Sequence, residues 1–428
     1  MPITDKLTSI ANAIREKGGT TDKLTLDAMP TAIAALSTGG GEDLVPNPLS
    51  YTGDISKLFQ NNNFNWLLEG YADRIQFNNV TNMSYVFNGT APNNVTLTNP
   101  PTGTKVNATT MFKNSNIALA DDYFSGVTIS NAESMFDNYA GEKIPAITFD
   151  YSSNSVKSMF KQATKVKEIG DITKLNIGAS GHSDWFRNCE MLRSLPNFVN
   201  CSFSVLNLST YGYNYDLFSY CYSLRTIPES LLVNIYDKYT SNNYMTRTFT
   251  WDCSLDEIVG FYPSPATLTS NRFADTFTNC CRLKRIIFAT KEDGTPYTVS
   301  WRNQTIDLSG YVGWAGIAGS DNRILNYNSG ITADKQVIDA QTYAALKDDP
   351  DWWSKQFIYS RFNHDSAVEF INSLPDTSAY VAAQNASNNA VKFYTNAGSA
   401  TDGGSVSQLT EEEVAVAVAK GWSIGYTT

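Results

Sequence analysis

An apolar residue, or Thr in the last two copies, followed by Phe recurs from the first quarter of the chain to its two-thirds point. The sites are Leu58-Phe59, Val86-Phe87, Met111-Phe112, Met135-Phe136, Met159-Phe160, Trp185-Phe186, Leu217-Phe218, Thr248-Phe249 and Thr276-Phe277. Successive Phe residues lie 28, 25, 24, 24, 26, 32, 31 and 28 positions apart. A period in this range is the mark of stacked supersecondary units, because one copy cannot bury its own apolar residues and neighbours must share a core. The pattern predicts a solenoid over residues 55–290.

The later copies carry the fuller signature. FRNCEMLRSLP, FSYCYSLRTIP, FTWDCSLDEIV and FTNCCRLKRII each place Leu six residues after the Phe and an aliphatic residue nine after it: Leu192/Leu195, Leu224/Ile227, Leu255/Ile258 and Leu283/Ile286. A Cys stands three or four residues after each Phe, and stacked strands about 4.8 Å apart would bring Cys189, Cys221, Cys253 and Cys280 together. That spacing suits either a disulfide or a row of small buried hydrophobes. The second is the working expectation, with Cys201 and Cys281 less defined by the pattern.

Both flanks depart from this periodicity. Ile3, Leu7, Ile10, Ala11 and Ile14 recur at helical spacing, with Arg15 and Lys17 near the negative end and Gly18-Gly19 as a stop, so residues 3–17 read as an amphipathic helix. A second apolar stretch, Leu24 to Leu36, contains Pro30 as a new helix start, and residues 1–37 form a helical pair. Residues 38–54, beginning with a Gly run, are linker and lead-in. In the C-terminal region, 291–428, Asp293-Gly294 turns a hairpin, a helix runs from about residue 340 to 347, and Asp365 caps a helix that ends at Pro375. Thr410 and Glu413 make a capping box, Leu409 and Val414 a hydrophobic staple, and Gly421 a stop before the strand WSIGYT. The fold class is an α/β repeat, a leucine-rich-repeat-like solenoid with short strands, between a small helical pair and an α+β region ending in a capping repeat.

At the F-x-x-C-x-x-L-x-x-[IL] copies the chain resembles the BspA-like leucine-rich repeats of bacterial surface proteins. SMFDN and KSMFKQA resemble the related Met-Phe repeats of bacterial and phage proteins. The segment ITDKLTSIANAIREKGGTTDKLTLDAMPTAIAAL is similar to a short N-terminal module of structural proteins from phages of Gram-positive bacteria. This resemblance implies a virion protein, made in the host cytoplasm, whose Ile3, Leu7, Ile10, Ile14, Leu26, Ile33 and Leu36 mediate particle attachment to other virion structural proteins. Analogy with phage fibers implies a homo-oligomer, with a trimer as the expected form. An ordinary hairpin capping the solenoid is the competing reading of residues 1–37.

The two longest intervals hold Tyr211, Tyr213 and Tyr215 in TYGYNYD and Tyr236, Tyr239 and Tyr244 in YDKYTSNNY. Tyr among Asn, Ser and Gly offers stiff contact area with adaptable hydrogen bonding, which suits recognition of a host-surface glycan or protein. Stacking within long turns is the structural alternative. A formal net charge of −10 at pH 7, with no basic stripe, argues against nucleic acid as a partner. No stretch reaches the roughly 20 apolar residues of a membrane span, and the N-terminus lacks the apolar segment of a signal peptide. Sequons such as Asn79-Val80-Thr81 are read as turn residues rather than glycosylation sites.

No cofactor, metal site or catalytic group is expected. His182 and His364 are the two histidines, and no nucleophile elbow, zinc helix, P-loop or dinucleotide fingerprint is present. Adjacent carboxylates, Asp121-Asp122 and Asp348-Asp349, say nothing of the spacing that a glycosidase needs. The leading reading is a non-enzymatic virion fiber or adhesion protein. A purely architectural virion component is the alternative, and a polysaccharide depolymerase a minor one.

Overall fold

The computed structural model describes residues 3–18, 25, 28–29, 32, 45–151, 153–177, 184–203, 217–221, 223–228, 231, 248–250, 252, 255, 257–261, 263, 267–273, 276–277, 280, 283, 285–308, 364–394 and 409–427. They form a parallel β-solenoid with few helices. The nine periodic Phe residues make one continuous column. Phe59, Phe87, Phe112, Phe136, Phe160, Phe186, Phe218, Phe249 and Phe277 stack ring on ring, with neighbouring centroids 5.0 to 6.0 Å apart. Edge-on rings such as Tyr123, Phe124 and Tyr139 pack around this column, the arrangement that the ring quadrupole favours. Leu192, Leu224, Leu255 and Leu283, six residues after their Phe, are fully buried, as are Ile258 and Ile286.

Around each Phe the backbone makes a chain of turns rather than a strand. In the coil of Phe87 the N–H groups of Val86, Asn88 and Thr90 bond the carbonyls three residues back, while those of Met83, Tyr85, Phe87 and Gly89 reach Asn107, Thr109, Met111 and Lys113 of the next coil. The same alternation runs through the coils of Phe59, Phe112 and Phe136. It requires left-handed backbone two residues before and two after the Phe. Those places hold Lys57 and Asn61, Tyr85 and Gly89, Thr110 and Asn114, Ser134 and Asn138, Ser158 and Gln162, Asp184 and Asn188. Asn tolerates this region better than other residues with a Cβ, which gives a physical reason for the chain's abundant Asn. Asn recurs for a second reason at the entry to each turn series. Asn82, Asn107 and Asn131 accept the N–H two residues on through Oδ1, at 3.0, 3.1 and 3.1 Å, as Asp54 does for Ser56.

Short parallel strands join the coils on their other sides. The longest ladder orders Leu49–Asp54, Ile75–Asn82, Gly103–Asn107 and Val127–Asn131. Two-residue strands continue it, with Ile147–Thr148, Ile172–Thr173 and Phe198–Val199 in register. Further on, Glu257–Phe261 pairs with Arg285–Phe288. The hairpin at Asp293-Gly294 forms, with an antiparallel bridge between Thr290 and Pro296. Parallel stacking then resumes across a wide sequence gap: Thr305–Asp307 pairs with Asn389–Tyr394, and that strand with Trp422–Thr427.

Helices close the two ends of the described stack. His364–Ser373 buries Ala367, Phe370 and Ile371 in the main core and is pinned by Arg285, whose guanidinium bonds both Glu369 carboxylate oxygens. The helix begins at His364, so Asp365 lies in its first turn rather than before it. Lys420 Nζ donates to the carbonyls of Ile371 and Asn372 at that helix's C-terminal end, at 3.0 and 2.7 Å. Thr410 and Glu413 form the capping box of Glu411–Ala419, with Leu409 buried and Val414 packed on the core. At the other end Asn65–Tyr71 buries Leu67 and Leu68, a helix the sequence pattern did not signal. The expected helix near 340–347 lies outside the described residues.

Candidate functional site

The sequence pointed to two functional places, the N-terminal helical pair and the tyrosine-rich insertions, and to a structural row of cysteines beside the Phe column. The helix Ile3–Gly18 forms as the apolar spacing requires. Ile10, Ala11 and Ile14 are buried with Met29, and Ala32 and Trp66 pack against that cluster. Because Trp66 also packs on the main core, it joins the helix to the first coil of the solenoid. Leu7 is half-buried, and Thr8, Ser9, Asn12 and Glu16 are exposed along the same helix. Ile10 and Ile14 therefore hold the helix in place. The side chain of Ile3, and Leu26, Ile33 and Leu36, lie outside the described residues, as do Tyr211, Tyr213, Tyr215, Tyr236, Tyr239 and Tyr244.

Inside the stack, from the coil of Phe87 on, the third residue after the Phe faces the core. In successive coils it is Thr90, Ser115, Tyr139, Ala163, Cys189, Cys221, Asp252 and Cys280. Cys189, Cys221 and Cys280 are buried, and their thiols donate to the carbonyls of Phe160, Phe186 and Phe249 at 3.0, 3.0 and 2.9 Å. Thr90 donates in the same way to the Phe59 carbonyl. Asp252 takes the place expected for a cysteine, is fully buried, and accepts the Cys221 N–H through Oδ1 at 3.0 Å. Burial, together with the neighbouring Cys221, pushes its carboxyl well above the usual carboxylate range. Sequence reasoning passed over this residue, although the signal was present: in FTWDCS the Cys stands four residues after the Phe, not three. Cys253 and Cys281 lie outside the described residues, and Cys201 is half-buried with its thiol 3.3 Å from the Ile172 carbonyl.

The outer surface carries charges that answer one another from coil to coil. Lys113 meets Asp137 at 2.7 Å, Lys161 meets Asp184 at 3.4 Å, and Lys167 meets Glu142 at 2.9 Å. Lys143 lies 3.0 Å from Asp121 and 3.3 Å from Glu168, so Asp121 is an ion-pair partner. His364 Nε2 stands 3.1 Å from Glu413 Oε2, the carboxylate that also accepts the Thr410 N–H in the capping box. That places it in a helix-to-helix contact. His182 and Asp348-Asp349 lie outside the described residues. Among the described residues no group of three or more His, Cys, Asp or Glu is placed to hold a metal ion, and no helix is long and apolar enough to cross a membrane.

Compared with protein-family models, curated proteins and solved structures, the chain matches none.

Proposed function

We propose that the chain is a non-enzymatic phage virion protein of fiber or adhesion type, with a solenoid of the BspA-like leucine-rich-repeat kind. The N-terminal module attaches to tail or capsid proteins, and the solenoid and C-terminal region reach a host-surface glycan or protein, presented as a homo-oligomer and best as a trimer. The observation that supports this reading most is the unbroken column of nine Phe rings. Eight steps of about 5 Å make a stiff rod roughly 40 Å long, suited to holding a recognition surface away from an attachment point. Several weak sites on an oligomer then raise avidity by about 10² to 10⁴ without new contacts.

The test is binding of purified protein to cells or cell-wall fragments of the bacterial host. Changing Tyr211, Tyr213 and Tyr215 together to Ser is expected to remove binding and leave the thermal midpoint nearly unchanged; normal binding by the triple variant rules out that loop. Deleting residues 1–37 is expected to keep the Phe column folded while the protein is lost from assembled particles. An unfolded truncation would make the segment a cap instead.

The architectural reading has its own support. Charges on the described flank are matched between successive coils, as in Lys113–Asp137 and Lys167–Glu142, which leaves little net field to attract a charged ligand there. Under that reading the purified protein binds other virion proteins and no host cells.

A further inference from the structure

Phe160, Phe186 and Phe249 each present a carbonyl that accepts two hydrogen bonds. One comes from the N–H three residues on, of Ala163, Cys189 and Asp252 respectively. The other comes from a thiol on the next coil, of Cys189, Cys221 and Cys280 respectively. The Phe218 carbonyl receives the first of these, from the Cys221 N–H at 3.3 Å. By the register of the stack, the side chain set over it for the second is Asp252.

Asp252 is shaped for that place in one protonation state only. Its Oδ1 is occupied by the Cys221 N–H, whereas Oδ2 is buried and meets no hydrogen-bond donor. An ionised carboxylate has nothing to donate and would set its charge beside a carbonyl oxygen. A carboxylic acid has one O–H and completes the row. We infer that Asp252 is the protonated member of the cysteine row, its Oδ2–H donating to the Phe218 carbonyl, and that its ionisation at higher pH loosens the coils from which the two long tyrosine-bearing insertions depart.

The Cys221 N–H favours an anion here, and burial outweighs it. Cys221 faces it from the preceding coil, its own thiol pushed up by burial and by Cys189, and the charge of Glu190 also bears on Cys221. Cys280 occupies the same position one coil on. The folded carboxyl therefore binds its proton more tightly than the unfolded one does. Stability from this group is full below the unfolded value of about 3.9 and falls as pH rises toward the folded value, the folded-to-unfolded ratio dropping by up to about tenfold per pH unit.

Asp252→Asn imitates the neutral acid at every pH, since the amide oxygen accepts from Cys221 and the amide nitrogen donates to Phe218. Asp252→Cys restores the residue used in the neighbouring coils. Full-length wild type and both variants are compared by denaturant unfolding from pH 4 to 8. Both variants are expected to gain on the wild type steadily as pH rises, by up to about tenfold in the unfolding constant per unit. A difference that stays constant across this range overturns the inference. A second measurement does not depend on unfolding: the infrared carbonyl band of a buried protonated carboxyl is expected in the wild type at pH 7 and missing in Asp252→Asn. A wild type without that band also overturns it.

Discussion

The first half of the Phe column and the second half solve the same packing problem with different materials. From Phe59 to Phe160 the coils are short, 24 to 28 residues apart. Strands such as Ile75–Asn82 and Val127–Asn131 link them, and the core position three residues after the Phe, from Phe87 on, varies among Thr90, Ser115, Tyr139 and Ala163. From Phe186 to Phe277 the intervals lengthen to between 28 and 32 residues, and the same position settles on Cys or Asp. There a side-chain donor reaches across to the preceding coil's Phe carbonyl. The difference teaches where regularity is needed: the stacked ring is invariant, whereas the second bond to its carbonyl, made by Thr90 in the first half, recurs through the cysteines of the second.

The comparison breaks most severely if a ring is removed from either half. Phe136→Ala and Phe218→Ala each delete a fully buried ring with stacked neighbours on both sides, and each is expected to cost about 3 to 5 kcal/mol. Hydrogen exchange should show protection lost mainly in the coils adjoining each site, because a solenoid is held by nearest-neighbour interfaces. An unchanged unfolding midpoint for either variant would remove that residue from the column.

A smaller effect tests the variable position in the first half. The Tyr139 hydroxyl donates to the Ile117 carbonyl at 2.6 Å in a buried setting, and Gly141 leaves the space that its ring end fills. Tyr139→Phe keeps the packing and strands the carbonyl, so a loss of about 1 to 3 kcal/mol is expected by denaturant unfolding. A neutral result would mean that the first half needs no side-chain donor at this position.

The smallest effect has the opposite sign. Thr110 is β-branched yet sits in left-handed backbone two residues before Phe112, whereas the matching place two residues after it holds Asn114. Thr110→Asn is expected to raise stability by about 0.5 to 1 kcal/mol, part of the cost that a β-branched residue pays there. A thermal midpoint at or below that of the wild type would show that packing of the Thr methyl outweighs the backbone strain.

Much of this architecture was written in the spacing of single residues. Phe recurrence, Leu at plus six, the Thr410/Glu413 box and the Asp293-Gly294 turn each depend on neighbours within a few positions or on a repeat that can be counted, so local chemistry carries them. The sequence pointed equally to Ile10 and Ile14 as an apolar stripe, yet it had no means of naming Trp66, 52 residues beyond Ile14, as a side chain that covers them. With Asp365 as the cap the helix would start at Ser366, two residues after its observed start at His364, and a helix end can shift by one or two residues at little cost.

What the chain determined by itself is the period, and with it which residues face inward, since a fixed repeat leaves one way to line up identical rings. Tertiary structure alone decided the rest. Left-handed backbone at Lys57, Tyr85 and Thr110 is imposed by N–H groups that must reach the next coil. The strands Thr305–Asp307 and Asn389–Tyr394 meet across a gap that no local signal spans. Asp252 becomes a buried acid because the stack places it where its neighbours place a thiol. In each case the energy comes from a group on another coil, and the separation in sequence between the two partners hides it until the chain is folded.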